Sequence, residues 1–414
     1  MAEGVYFSSR IAPMNLLKLK TKRDENRVYG IFKFPLKWTG LMAFRVETSG
    51  RRRVSWWSLA VGHLMTFSSI GVPLYFWFAI PAVEGSGRSS TAVVVTWIDR
   101  IVSFITSANL LVTANIQLWN VARLEQSLEH DWEVIYLQKS AATGISAMRY
   151  WAVPSVSVFM LCVVSLECGL GNENVYHNLP LCYLRIIEFL SEIMFVAPVL
   201  ALGDQFCHLN SRMGRCFDQT HPGTIARVLP FVEFPSKDYG RMVNFDAQDE
   251  LRTLSAIHWK LCSVGSHINA TFSCQLLVLF VSLFVNVITR PYFIFLSFND
   301  PDVASETMDI VRYSGWVVLY ALQLWLLVWP CSRARDEAAH TSTVIVQRLN
   351  KPIPLGNRKM LEQFLVQLMN HKLTFTVYNL FTLDLSVLTS VAGAVTTYLV
   401  ILIQFQKSDA EGAA

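Results

Sequence analysis

The chain has 414 residues, of which 52% are hydrophobic and only 16% are charged, with a formal net charge of +4. A soluble globular chain carries about 25% charged residues, so this composition excludes an ordinary soluble protein and points to a membrane protein. With so small a net charge, no nucleic-acid partner is expected.

The first segment, residues 1–53, is basic and lacks an apolar core of signal-peptide length, so no cleavable signal is expected. A bilayer core of about 30 Å needs roughly 20 apolar residues in helix. Seven stretches qualify: Trp56–Ala82, Ala92–Trp119, Ala147–Leu170, Tyr176–Phe206, His267–Leu296, Tyr313–Trp329 and Leu373–Phe405. All are read as helices, because open sheet edges cannot stand in lipid. Several exceed the minimum, which implies tilt or extension beyond the membrane. The expected fold is therefore an all-α membrane protein. Helices one to four fall within 54–206, five and six within 267–334, and the seventh within 373–406. Segments 207–266 and 335–372 lie between them, and 407–414 forms the tail.

Orientation follows from Lys and Arg placement. Twelve precede position 54, three follow span 2, seven follow span 4 and seven follow span 6. Of the 35 in the chain, 29 thus fall on one side and only Arg88, Arg312 and Lys407 on the other. The basic side is expected to be cytoplasmic. That puts the N-terminus inside and, after seven spans, the C-terminus outside. A G-protein-coupled receptor has the opposite orientation, and span 7 has no Asn-Pro-x-x-Tyr. The sequon Asn269-Ala-Thr271 falls on the cytoplasmic side and is expected to be unused. Leu361, Phe364, Leu365 and Leu368 form one apolar face just before span 7. That face suits either a membrane-surface helix or a subunit-packing helix.

Ionisable residues inside spans are costly and usually face the bundle interior. Span 4 carries Arg185, Glu188 and Glu192 on one face. Span 2 has Asp99 and Arg100, span 5 has Asn286 and Arg290, and span 6 has Tyr320 and Gln323. One reading is internal ion pairing, for example Arg185 with Glu188. The other is the polar end of a ligand pocket walled by Trp97, Trp316 and Tyr320. Cys168 and Cys182 flank the loop between spans 3 and 4, where either a disulfide or two buried thiols would fit. The eight cysteines show no metal-ligand spacing, and no hydrolase, zinc-protease or nucleotide-loop constellation is present. Neither an enzyme nor a cofactor is expected.

Span 7 ends Thr397-Tyr398-Leu399-Val400-Ile401-Leu402-Ile403-Gln404-Phe405. Thr-Tyr, five apolar residues and Gln-Phe at the end of a last span resemble the signature of insect gustatory receptors. Phe381-Thr382-Leu383-Asp384 and the lead-in from His340 to Leu373 also look like that family. The resemblance covers roughly the last 70 residues and, through topology, extends weakly over the chain. It implies a tetrameric cation channel with a central pore lined by the last helix of each subunit. It also implies a ligand pocket in the outer half of each bundle and an intracellular anchor region. Ala394, Thr397, Ile401 and Phe405 form one helical stripe, which the resemblance turns toward the pore. Rings of Ile401 and Phe405 would then gate by dewetting, with Gln404 beside them. The sugar-receptor branch carries an acidic residue after Thr-Tyr, where this chain has Leu399. That argues against the main sugar branch and leaves the bitter-type and fructose-type receptors, of which the bitter type is preferred here and the fructose type is the alternative. A secondary transporter is the competing class, but no two-half repeat is visible. The implied partners are a small-molecule tastant, membrane lipids and sister subunits, in a homotetramer or a heteromer with related receptors. The implied location is the plasma membrane.

Overall fold

The computed structural model of the chain describes residues 44–46, 52–54, 71, 97–98, 101–102, 104–105, 107, 152–170, 175–219, 236–299, 306–351, 353 and 355–412. Apart from those single positions, the stretches Trp56–Ala82 and Ala92–Trp119 lie outside the described residues. A small antiparallel hairpin comes first, with β1 (Phe44–Val46) paired to β2 (Arg52–Val54) and Arg45 opposite Arg53. The rest is helical: α1 (Ala152–Leu170), α2 (Val175–Gln219), α3 (Ser236–Asn299), α4 (Glu306–Leu349), α5 (Leu355–Asn370) and α6 (Ser386–Gly412). A second hairpin, β3 (Thr376–Val377) with β4 (Phe381–Thr382), sits between α5 and α6.

Among the described residues, four helices are long and apolar enough to cross a membrane, within Cys182–Phe217, Glu250–Phe298, Ile310–Leu349 and Ser386–Ser408. Helix α1 contributes a shorter apolar stretch, Ala152–Glu167. Three helices far outrun a bilayer. Helices α2, α3 and α4 have 45, 64 and 44 residues. At the α-helical rise they reach about 68, 96 and 66 Å. Segments read from sequence as connections after spans 4 and 6 are thus largely continuations of the same helices. All three extensions lie at the end of the bundle that carries Arg212, Arg252, Lys260, Arg333 and Arg348, here called the basic end.

The core lies where α2, α3 and α4 meet, with α1 on one flank. Phe195 packs against Phe272 at 5.7 Å between ring centres and against Phe375 at 6.3 Å. Toward the basic end, His258 is sandwiched edge-on between Phe206 at 5.3 Å and Phe364 at 5.8 Å. Polar side chains then take over the cross-linking. The Asn210 amide donates to the Glu337 carbonyl at 2.8 Å, while its oxygen accepts from the Thr341 hydroxyl at 2.7 Å. Arg212 donates twice to one carboxylate oxygen of Glu250, both at 3.1 Å, joining α2 to α3.

Helix α5 resolves the question left by its apolar face. Leu361, Phe364 and Leu368 are buried, Phe364 meets His258 of α3, and Ser255 of α3 donates to Gln367 at 2.9 Å. The stripe packs on its own subunit, while Val366 and Met369 stay exposed. The last helix also differs from the sequence reading. It begins at Ser386 rather than Leu373, because residues 371–385 run as an extended hairpin. Tyr378 and Asn379 both have positive φ, 48° and 58°, a sharp reversal closed by the Leu380 amide on the Val377 carbonyl at 2.9 Å. The hairpin is tied to α3. Asn269 accepts from the Thr376 amide at 2.9 Å and donates to its hydroxyl at 3.1 Å, and Ser273 accepts from the Tyr378 amide at 2.9 Å. The sequon asparagine is therefore a structural clamp. Cys182 is buried, and the side chain of Cys168 lies outside the described residues.

Replacing Asn210 with Ala strands the buried Thr341 hydroxyl and the Glu337 carbonyl. The expected loss is about 1–3 kcal/mol, read as a lower melting temperature of the purified chain in mild detergent. Ser342→Ala, which removes only an exposed hydroxyl bonded to Ala339 within the same helix, should melt as wild type does.

Candidate functional site

The polar face of α2 lies at the end of the bundle away from the basic end. Arg185 donates to Glu188 at 3.2 Å, one turn along the same helix, and to the Asn286 side chain of α3 at 3.1 Å. Its guanidinium also lies over the Tyr320 ring of α4, 5.5 Å from the centre, a distance that suits a cation–π contact. Asn286 donates to the Ser282 carbonyl at 2.7 Å, which fixes its amide orientation. One arginine thus joins three helices. The expected Arg185–Glu188 pair is present, and Asn286 and Tyr320 complete it.

Trp316 stacks on Tyr320 with ring centres 5.5 Å apart and planes 25° from parallel. Its indole N–H donates to Glu167 at 2.9 Å, and Arg312 lies 3.7 Å from the other Glu167 oxygen. Glu167 and Arg312 extend the cluster to α1. Neither is among the site residues expected from sequence, although Glu167, an ionisable residue inside span 3, carries the same signal that marks Glu188. Gln323 is buried one turn from Tyr320, and Glu192 is buried on the Arg185 face of α2. Trp97 is half-buried, and Asp99 lies outside the described residues. The structure therefore joins Arg185, Glu188, Asn286, Trp316 and Tyr320 in one contact network, with Glu192 and Gln323 buried along its flanks.

The second part of the site is α6. The stripe Ala394, Thr397, Ile401 and Phe405 runs along a face that a single chain leaves largely uncovered. Phe405 is 61% exposed and Ile401 38%, while Thr397 and Gln404 are exposed and Ala394 is half-buried. The Thr397 hydroxyl bonds back to the Gly393 carbonyl at 3.0 Å, which leaves the stripe without an outward donor there. On its other side α6 meets α3, with Tyr398 edge-on to Phe284 at 6.4 Å.

Both ends of α6 are pinned. At the start, Asp384 accepts from the Ser386 amide at 3.1 Å and from the Ser386 hydroxyl. Arg335 of α4 lies 3.3 Å from the same carboxylate, and Ser332 of α4 accepts from the Leu385 amide at 3.1 Å. Hydrogen bonds from Ser386 first, then from Thr382 and Arg335, hold the Asp384 carboxyl below its ordinary value. That contribution is present above the ordinary aspartate range, near pH 4, and is lost only as pH falls through the depressed value. At the far end, the buried Tyr292 hydroxyl donates to the Gln406 side chain at 3.0 Å. Tyr292 follows Pro291, a proline inside α3 that removes one backbone hydrogen bond. This contact also escaped the sequence reading, because nothing in either residue's neighbourhood marks the pairing. A cavity of about 750 Å³ opens at the basic end, beside Asn210, Trp329, Arg333 and Leu385, remote from the Arg185 cluster.

The 7tm chemosensory receptor family matches residues 34–409. Gustatory receptor 68a of Drosophila melanogaster is 29% identical over 177 residues, 42% of this chain and 44% of that one. The Drosophila gustatory receptor for sugar taste 43a is 27% identical, over 38% of this chain and 36% of its own. The Drosophila gustatory receptor for bitter taste 66a is 25% identical, over 38% and 31%. The chain thus matches these curated relatives over less than half of their length. Its fold is similar to that of the insect olfactory receptor OR5 from Machilis hrabei in complex with eugenol. The TM-score is 0.66 at 13% identity, over 94% of this chain and 99% of that one.

Tyr292→Phe removes one hydroxyl and leaves the packing intact. Losing a bond of this kind costs about 0.5–1.5 kcal/mol. Amide hydrogen exchange in the last turns of α6, around 402–408, should therefore rise about two- to tenfold. Exchange at 386–392, pinned by Asp384, should stay as in wild type.

Proposed function

The chain belongs to the 7tm chemosensory receptor family, and from that premise we propose that it is a tastant-gated, non-selective cation channel of the gustatory type. It is a receptor rather than an enzyme. In this reading it sits in the plasma membrane with seven spans, its N-terminus cytoplasmic and its C-terminus outside. Four copies, or this chain with related receptors, surround a pore lined by α6. The ligand is a small-molecule tastant held near Arg185, Asn286, Trp316, Tyr320 and Gln323. Leu399 after Thr397-Tyr398, in place of an acid, argues against the main sugar-receptor branch and leaves a bitter-type receptor, with a fructose-type receptor as the alternative.

One observation carries the reading. The helix bearing the Thr-Tyr…Gln-Phe ending is pinned at both ends by polar contacts, while its apolar stripe remains exposed at Ile401 and Phe405. Sister subunits would cover part of that surface and leave the stripe facing a shared axis. A ring of four Ile401 and four Phe405 side chains is too apolar to keep a water column when narrow. Ligand opens it only by binding the open form more tightly. Helices α3 and α4 join the Arg185 cluster to the two ends of α6, so a shift in either reaches the ring.

A polar side chain in the ring lowers the cost of wetting. Phe405→Ser and Ile401→Ser should raise basal current several-fold, normalised to surface expression in whole-cell recording, and shrink the ligand-evoked increment. Serine at Leu402, rotated about 100° from Ile401, should do less. Resting channels as silent as wild type at both ring positions would contradict the proposed gate.

A further inference from the structure

Glu192 is not accounted for by the contacts of the cluster. Its exposure is 0%, and neither carboxylate oxygen has a hydrogen-bond partner. One oxygen of Glu188 and the hydroxyl of Ser282 are also buried without a partner. Two cross-links between α2 and α3 bracket the levels at which these residues stand. Arg185 with Asn286 closes that stretch on one side. Gln275, donating to the Ser191 carbonyl at 3.0 Å, closes it on the other. Ser282 falls between Gln275 and Asn286 on α3, and Glu188 lies between Arg185 and Ser191 on α2, with Glu192 adjoining Ser191.

The charge balance of this stretch is uneven. Arg185 supplies one positive charge, which Glu188 already engages. Glu192 adds a second carboxylate, and among the described residues no further cation on α2 or α3 stands between the two cross-links. Arg290, the next cation on α3, is beyond Asn286. An unpaired carboxylate in a low-dielectric interior is strongly disfavoured, so a proton or a cation must neutralise it. The unpartnered groups choose between these. One Glu188 oxygen, two Glu192 oxygens and the Ser282 hydroxyl oxygen can all accept. A proton would occupy one of them. A primary ammonium group brings three N–H donors, no acceptor and one positive charge, and so answers both the missing charge and most of the missing bonds.

We propose that Glu192, with Glu188 and Ser282, forms a site in the α2–α3 interface for the primary ammonium group of a small amine. This rests on the receptor reading above and names its ligand class: amine-bearing tastants rather than neutral ones. Glu192 supplies the charge, Glu188 a further acceptor and Ser282 a neutral one. Quaternary ammonium ions match the charge but offer no N–H donor, so they should bind more weakly than primary amines.

The test is thermal unfolding of the purified full-length chain in detergent, titrated with methylamine, benzylamine, benzyl alcohol and benzyltrimethylammonium at constant ionic strength. Both amines are cationic at neutral pH. Benzylamine should raise the melting temperature saturably in wild type, with at least about tenfold weaker apparent affinity in Glu192→Gln, a loss typical of a charged hydrogen bond. Unliganded Glu192→Gln should melt no lower than wild type, since it removes a buried charge. Benzyl alcohol should act equally on both proteins. If Glu192→Gln does not purify, Ser282→Ala takes its place, and a severalfold weaker benzylamine response with benzyl alcohol unchanged supports the site. Equal amine responses in wild type and variant overturn the proposal. So does the absence of any amine response, which would mean that a proton alone neutralises Glu192. An inorganic arm replaces sodium with N-methylglucamine; a sodium effect that disappears in Glu192→Gln without an amine effect assigns the site to a metal cation and also overturns it. No current is needed for this readout, so a failure of the channel reading and a failure of the amine site remain distinct.

Discussion

A polar side chain inside a bilayer cannot turn to water, so it must find its partner on another helix. That constraint organises this molecule. Hydrocarbon contacts alone would let α2, α3 and α4 slide, because lipid tails are as apolar as leucine. What fixes their relative positions is a small set of polar cross-links at separate levels. Arg185 joins α2 to α3 and lies over a ring of α4, Gln275 joins α3 to α2, and Asn210 joins α2 to α4. Breaking any one leaves a buried polar group short of a bond, which costs more than the bond itself contributes.

The same logic explains how α6 is held. Its apolar flanks give little grip, and among the described residues its polar cross-links lie at its two ends. Asp384, Ser332 and Arg335 hold the start against α4, and Tyr292 holds the finish against α3. Between them the helix offers Tyr398, Val400, Ile401 and Phe405 as exposed surface. In the proposed channel this division matters. A helix fixed along its whole length could not change the width of a pore, and one fixed at a single end would not follow the rest of the bundle. Helices α3 and α4 are single elements that carry cluster residues toward one end and lead to the α6 contacts. In that channel the cluster and the proposed gate would be linked through continuous helices, each with a proline on the way, rather than through loops.

Much of this was legible in the sequence, for a physical reason. Apolar runs, basic segments and ionisable residues within spans are local features, and they indicated the helices and the Arg185–Glu188 face. Pairings between residues far apart in sequence were not legible. Asn286 was noted as polar, but not as Arg185's partner. Glu167, Arg312, Tyr292 and Gln406 acquire meaning only when helices from distant segments are brought together. The start of α6 was misplaced because Leu373–Leu385 is apolar enough to read as helix. Its course is set by Asn269 and Ser273 capturing its backbone amides and by two residues in left-handed conformation. The amphipathic helix α5 was read correctly as a face. Its partner, the chain's own α3, was not foreseen, because a stripe of leucines does not specify what it packs on.

The central claim is that the Thr397–Ile401–Phe405 face of α6 lines a ligand-gated ion path. Cysteine accessibility tests it directly. Single cysteines at Thr397 and at Leu399, on a different face of α6, are treated with a positively charged thiol reagent during whole-cell recording, with and without activating ligand. The account predicts that reagent applied in the presence of ligand blocks current irreversibly through Thr397→Cys, reacts much more slowly without ligand, and leaves Leu399→Cys unaffected. Equal modification at both positions, or ligand-independent modification at Thr397→Cys, would contradict it.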